Sequence, residues 1–169
     1  MARSGFTLME LVVVMAIMGI ALAAAVPLLR DQHQAYRLEQ ETARMLAALH
    51  MAQQDALIHG REWGMAVRAD GYSFLHFDAD TKQWTAPSEA VLANYTLPDS
   101  LRLNADVSNQ LILADDAASQ QRPEILLLSN GQTSAFTLRL QIEGNGEVSA
   151  VLTADGHSEI RPIGDTHGP

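Results

Sequence analysis

The sequence contains no cysteine, which excludes disulfides and thiol chemistry without naming a compartment, because exported proteins can also lack them. Positive charge is scarce: 11 Lys and Arg stand against 20 Asp and Glu, for a net charge of −9. Nucleic-acid binders usually carry a basic patch, and the scattered arginines here do not form one, so no nucleic-acid partner is expected. There is no Gly-x-Ser-x-Gly elbow, phosphate loop or catalytic cysteine. The six histidines, His33, His50, His59, His76, His157 and His167, show no metal-ligand spacing, although His33 and Arg37 would share a helix face. Gly144-Asn145-Gly146 is too short a glycine cluster to cradle a phosphate. Asp78 and Asp80 lack the further oxygen ligands, central glycine and terminal glutamate of a calcium loop and read as a plain turn. An enzyme, a cofactor and a bound metal are therefore not expected.

A further absence is local. Leu11 to Leu29 carries no charged side chain, and counting back to Phe6 the only charge is Glu10. From residue 6 to 29, at ~1.5 Å per residue, an α-helix would measure about 36 Å and could cross a hydrocarbon core of about 30 Å. A buried core helix would be striped, whereas this segment is apolar on every side. A secretory signal peptide is the stronger rival, since Ala21-Leu22-Ala23 and Ala23-Ala24-Ala25 resemble cleavage sites. Such peptides, however, have an apolar core of about 7 to 15 residues behind a basic head, and here the head is only Met1 to Gly5 with Arg3. Arg3 before the run, against Arg30 offset by Asp31 after it, places the amino terminus in the cytoplasm and the remainder outside.

Glu10 needs a partner. An acidic residue near the centre of a membrane helix costs about 2.5 to 3.5 kcal/mol and usually serves a function. Cleavage after Gly5 would create a cation, the α-amino group of Phe6, with a reference pKa of about 8. That amine could meet Glu10 on the same helix, or on a neighbouring subunit packed alongside.

These residues carry a resemblance. Gly5 followed by Phe6-Thr7-Leu8-Met9-Glu10 and an apolar helix resembles the leader of type IV prepilins and type II secretion pseudopilins. The resemblance implies cleavage after Gly5 by a prepilin peptidase, N-methylation of Phe6 and a role for Glu10 in assembly. Gly19 and Pro27 fall where many members have a glycine and a helix-loosening proline.

Beyond Pro27 the helical pattern continues. Ala35, Leu38, Thr42, Met45, Leu49, Ala52 and Ala56 form one stripe, widened by Leu46 and Leu57. Arg37, Glu41 and Arg44 lie on the opposite face and read as solvated charges. His59 followed by Gly60 suits a helix end, so one helix is expected from about Phe6 to about His59.

From Glu62 the period changes to two. Trp63, Met65 and Val67 lead to an Asp70-Gly71 hairpin turn and a returning strand, Tyr72 to Phe77, and Asp78-Ala79-Asp80 then turns the chain toward Gln83-Trp84-Thr85. Trp63 and Trp84 read as core or cross-strand aromatics. Ala86 to Asp99 reads as a connection around the apolar Val91 to Tyr95. Strands are expected at Leu101 to Leu103 and at Leu111 to Leu113, with a polar loop from Asp115 to Pro123. The last third reads as a meander of Glu124 to Leu128, Ala135 to Ile142, Val148 to Thr153 and Ser158 to Arg161. Its turns fall at Asn130-Gly131, Gly144-Asn145-Gly146 and Asp155-Gly156, and the tail frays from Pro162.

Gly60-Arg61-Glu62-Trp63-Gly64-Met65, the Asp70-Gly71-Tyr72 hairpin with Phe77-Asp78 and Trp84, and the late Leu128-Ser129-Asn130-Gly131 turn with Phe136-Thr137-Leu138 are similar to the GspH/FimT group of minor pseudopilins. Members often show proline and aspartate before the late glycine, where this chain has Ser129 and Asn130. The implied fold is α+β and pilin-like: a long N-terminal transmembrane and amphipathic helix packed on a C-terminal antiparallel β domain, built as two small sheets or a meander. The expected divisions are 1–5 leader peptide, 6–29 transmembrane half of the helix, 30–60 amphipathic half and 61–169 periplasmic β-rich head.

The resemblance implies a minor pseudopilin near the tip of the type II secretion pseudopilus, anchored in the inner membrane, that aids pseudopilus assembly and export of folded proteins. Its implied partners are other minor pseudopilins and the major pseudopilin, the prepilin peptidase, the inner-membrane assembly platform and exported proteins. The alternative is a minor type IV pilin that initiates a surface pilus or binds DNA for uptake.

Overall fold

Residue Leu8 opens a 52-residue helix, α1 (Leu8–His59). The computed structural model describes residues 8–87, 92–108, 122–157 and 159–163, with the side chains of 22–32 and 145–148 outside that description. Two compact units divide the chain, Met1–Tyr36 and Arg37–Pro169. The expected leader 1–5, Phe6 and the expected strand Leu111 to Leu113 lie outside the described residues, as does all but the end of the Asp115 to Pro123 loop.

In the first unit, Leu8, Met9, Leu11 to Met15, Ile17, Met18 and Ile20 are exposed large apolar side chains. Among the described residues no helix is long and apolar enough to cross a membrane. The stretch expected to do so, 6–29, extends at both ends past the residues whose side chains are described.

In the second unit, α1 buries one stripe: Leu38, Met45, Ala48, Leu49, Ala52 and Ala56. Successive side chains step about 100° round a helix, and that step corrects three expectations. Ala35 is exposed, Thr42 is half-buried, and Leu57, one step past Ala56, is 51% exposed. The Thr42 hydroxyl donates to the Leu38 carbonyl at 2.7 Å. Gly60 takes φ +64° and donates its N–H to the Ala56 carbonyl at 2.9 Å, which closes the helix with a left-handed cap that only glycine adopts without steric cost.

Nine strands follow: β1 (Trp63–Arg68), β2 (Gly71–Asp78), β3 (Gln83–Thr85), β4 (Tyr95–Thr96), β5 (Leu101–Val107), β6 (Ile125–Leu127), β7 (Phe136–Ile142), β8 (Asn145–Ala154) and β9 (Arg161–Ile163). They form two antiparallel sheets. One has the order β3-β2-β1-β6 with β4 also paired to β2; the other has the order β5-β7-β8-β9. Leu103 N–H donates to the Ala69 carbonyl at 3.0 Å, fastening β5 to the turn between β1 and β2.

Of the two layouts allowed by the sequence, the head takes the two-sheet one. β6 leaves the expected four-strand meander and pairs with β1, with Trp63 opposite Leu127. β7, β8 and β9 do run as a meander. The first hairpin turns one residue earlier than expected, with Arg68 opposite Gly71. β9 starts at Arg161, and Pro162 and Ile163, expected to be frayed, pair with Leu152 and Val151.

Between helix and sheets lies one apolar core that includes Leu49, Trp63, Met65, Phe74, Leu103, Ile125, Leu138 and Leu140. Side chains alternate across each strand, so β7 buries Phe136, Leu138, Leu140 and Ile142 while Arg139 is exposed. Trp63 is fully buried, and Trp84 is half-buried against Phe77, its cross-strand neighbour at 5.3 Å between ring centroids.

Candidate functional site

Glu10 lies in the first turn of α1 and is exposed, among the exposed apolar side chains of the first unit. An acid near a helix N-terminus is favoured by the unpaired N–H groups there. A Cβ built on Gly19 would meet nothing within 4 Å, so packing within this chain does not demand a glycine. The helix continues through Pro27, whose side chain lies outside the description. Gly5 and Phe6, the expected cleavage and methylation site, also lie outside the described residues.

The second unit holds its helix end through two carboxylates. Asp55 Oδ2 accepts from Trp63 Nε1 at 2.8 Å and from Arg61 Nε and Nη2 at 2.9 Å each, while Oδ1 lies 3.0 Å from His59 Nδ1. Burial alone would raise the Asp55 pKa, but the donors Arg61 and Trp63 and the charges of Arg61 and His59 outweigh it and leave the pKa lowered. The fully buried Trp63 indole thus has its one donor satisfied. Arg61 also sits over the Trp63 ring, 5.4 Å from its centroid.

Glu62, seven residues on from Asp55, grips the turn between β6 and β7. Its Oε2 accepts from Ser129 N at 2.7 Å and its Oε1 from Ser129 Oγ at 2.8 Å. A proline at this position, as many relatives of the resembled group carry, would supply neither donor. Gln53 Nε2 reaches the Gly131 carbonyl at 3.4 Å.

A third contact corrects the reading of Glu41 and Arg44 as solvated charges. Glu41 Oε2 accepts from the Tyr95 hydroxyl at 2.8 Å, and the Arg44 guanidinium lies 3.9 Å from the Tyr95 ring centroid. Tyr95 also packs on Tyr72 at 5.3 Å. Sequence reasoning placed Tyr95 in a connection. The available signal was an aromatic in a run, Leu92 to Leu97, that buries both of its ends.

The described histidines and acids form no group of three or more that could hold a metal ion. Asp78 Oδ1 instead accepts the backbone N–H groups of Asp80 at 2.9 Å and Thr81 at 3.2 Å, the turn expected from the sequence. Asp55, Glu62 and Glu41 likewise have their oxygens filled by the chain's own donors. Such groups fasten one element to another and offer no nucleophile with a base beside it.

Residues 1–26 match the prokaryotic N-terminal methylation motif. Over 162 residues the chain is 28% identical to type II secretion system protein H of Pseudomonas aeruginosa, covering 92% of each protein. It is 24% identical over 173 residues to the protein of the same name from Aeromonas hydrophila, covering 96% of this chain and 94% of that one. The minor pseudopilin EpsH from the type 2 secretion system of Vibrio cholerae shares the fold, with a TM-score of 0.64 at 18% identity over 78% of this chain and 99% of that chain. Residues 41–156, well over half of the sequence, match the type II transport protein GspH, and the chain belongs to that family.

Proposed function

We propose that the chain is a minor pseudopilin of type II secretion, a structural subunit near the tip of the pseudopilus that helps it assemble and export folded proteins. The observation that carries this reading is the union of a methylation-motif stem, residues 1–26, with a GspH head, residues 41–156, in one chain. A prepilin peptidase cuts after Gly5, Phe6 becomes the N-methylated amino terminus, and residues 6–29 anchor the subunit in the inner membrane with residues 61–169 in the periplasm. Glu10 then pairs with the Phe6 α-amino group of a neighbouring subunit, which neutralises two charges that the membrane interior would penalise. Other minor pseudopilins, the major pseudopilin and the assembly platform are its partners, and its role is structural. The spent carboxylates of the head support that role, since each already holds donors of its own chain.

The test is the mature amino terminus. Mass spectrometry of the protein from membranes should find N-methylated Phe6, and a start near Val26 would instead establish a secretory signal peptide. Copurification with secretion-channel components, rather than pilus components, separates this reading from that of a type IV pilin.

A further inference from the structure

The turn between β6 and β7 carries an Asn-Gly pair that its role in the fold does not explain. Asn130 is exposed, and Gly131 follows it at φ +87° with no side chain to shield the bond between them. In such pairs the backbone nitrogen of the glycine can attack the asparagine side-chain carbonyl carbon. The C–N bond to the amide leaves as ammonia, a five-membered succinimide forms, and addition of water opens it to aspartate or isoaspartate. Asparagine is among the thermolabile residues for this reason.

The closed turn withholds both reacting groups. Gly131 N–H is donated to the Leu128 carbonyl at 3.0 Å, and Asn130 Oδ1 accepts from Gln132 N at 2.9 Å while Asn130 Nδ2 donates to Gln132 Oε1 at 3.2 Å. Leu128 N–H donates to the Gln132 carbonyl at 2.8 Å, closing the loop at its base. What pins this turn to the rest of the head is the two-point grip of Glu62 on Ser129, with Gln53 on the Gly131 carbonyl. Reaction therefore waits on local opening, and opening waits on Glu62.

We infer that Asn130 is a spontaneous deamidation site gated by the Glu62–Ser129 clamp. The product adds a negative charge one residue from the donors that Glu62 holds, where like charges oppose. Isoaspartate also inserts an extra backbone carbon into a turn whose hydrogen bonds to Leu128 are set by its length. Once modified, the turn cannot return to its grip on the helix end, so opening becomes permanent.

The test uses the full-length chain in detergent at mildly alkaline pH, with peptide mapping by mass spectrometry in oxygen-18 water, which marks each hydrolysed succinimide. Asn145-Gly146 falls in a different tryptic peptide and serves as the internal comparison. In urea both pairs should react at similar rates, while in the folded protein Asn130 should react about tenfold more slowly than in urea, or slower still. Glu62→Ala, shown to be folded by near-ultraviolet circular dichroism, should recover much of the urea rate at Asn130 and leave Asn145 unchanged. Equal rates at Asn130 in folded and urea-treated protein, or a folded Glu62→Ala protein that reacts at the wild-type rate, would overturn the inference. If Glu62→Ala does not fold, Ser129→Ala, which loses only the hydroxyl contact, must show the acceleration in its place.

Discussion

At the scale of single residues, the head depends on a few polar side chains that each satisfy several partners. Asp55 is the most committed, with Trp63, Arg61 and His59 all directed at one carboxylate. Asp55→Ala leaves a buried indole N–H without an acceptor, and urea unfolding should show a loss of about 1 to 3 kcal/mol. Because the Asp55 pKa is lowered in the folded state, its contribution is fully present above the ordinary aspartate value of about 3.9. It is lost as pH falls below that value through the folded-state pKa. The wild-type protein should therefore lose stability in that acid window faster than Asp55→Asn, as read by urea midpoints at a series of pH values.

Among the elements, β4 depends on its neighbours for both its place and its grip. It is two residues long, and Gly71 on β2 makes room for it: a Cβ there would drive into the Tyr95 carbonyl oxygen, a backbone atom that cannot swing aside. Gly71→Ala should cost about 1 to 3 kcal/mol and release Tyr95 from Glu41, visible as a loss of aromatic circular dichroism. The same cluster gives an alkaline limit. Burial pushes the Tyr72 pKa up to about 12, and burial together with the hydrogen bond to Glu41 raises that of Tyr95. Groups with raised pKa values hold their contribution below the unfolded value of about 10 and lose it as pH climbs toward the folded one. Tyrosinate absorbance and unfolding should accordingly rise together above about pH 10, and Tyr95→Phe, which keeps the ring under Arg44, should remove part of that coupling.

On the scale of the whole molecule, the two compact units, 1–36 and 37–169, assign different consequences to different changes. The core that holds the second unit together draws on Leu38 to Ile160 and contains nothing from the first. Glu10→Ala should consequently leave the thermal unfolding of the head unchanged while reducing copurification with other pseudopilins, because on the proposed reading it removes an intersubunit partner. Normal assembly of that variant would end the pairing of Glu10 with a neighbour's amine.

Patterns that repeat along the chain were legible without coordinates. The helix to His59, its glycine cap, the β1–β2 hairpin, the cross-strand Phe77 and Trp84 and the order of later strands all follow from local rules of period and turn chemistry. The leader and the Gly60 to Met65 segment pointed to the family to which residues 41–156 belong. What local rules could not reach were the pairings set by long-range geometry. Sequence spacing says that Glu41 and Arg44 share a helix face, but not that Tyr95, 54 residues from Glu41, comes to meet them. It says that Ile125 to Leu127 is a strand, but a three-residue apolar run can pair with either sheet, and the buried edge beside β1 is what takes it. Periodicity reports which way each side chain faces its own element; only the packing of distant elements against one another decides which partner is there to receive it.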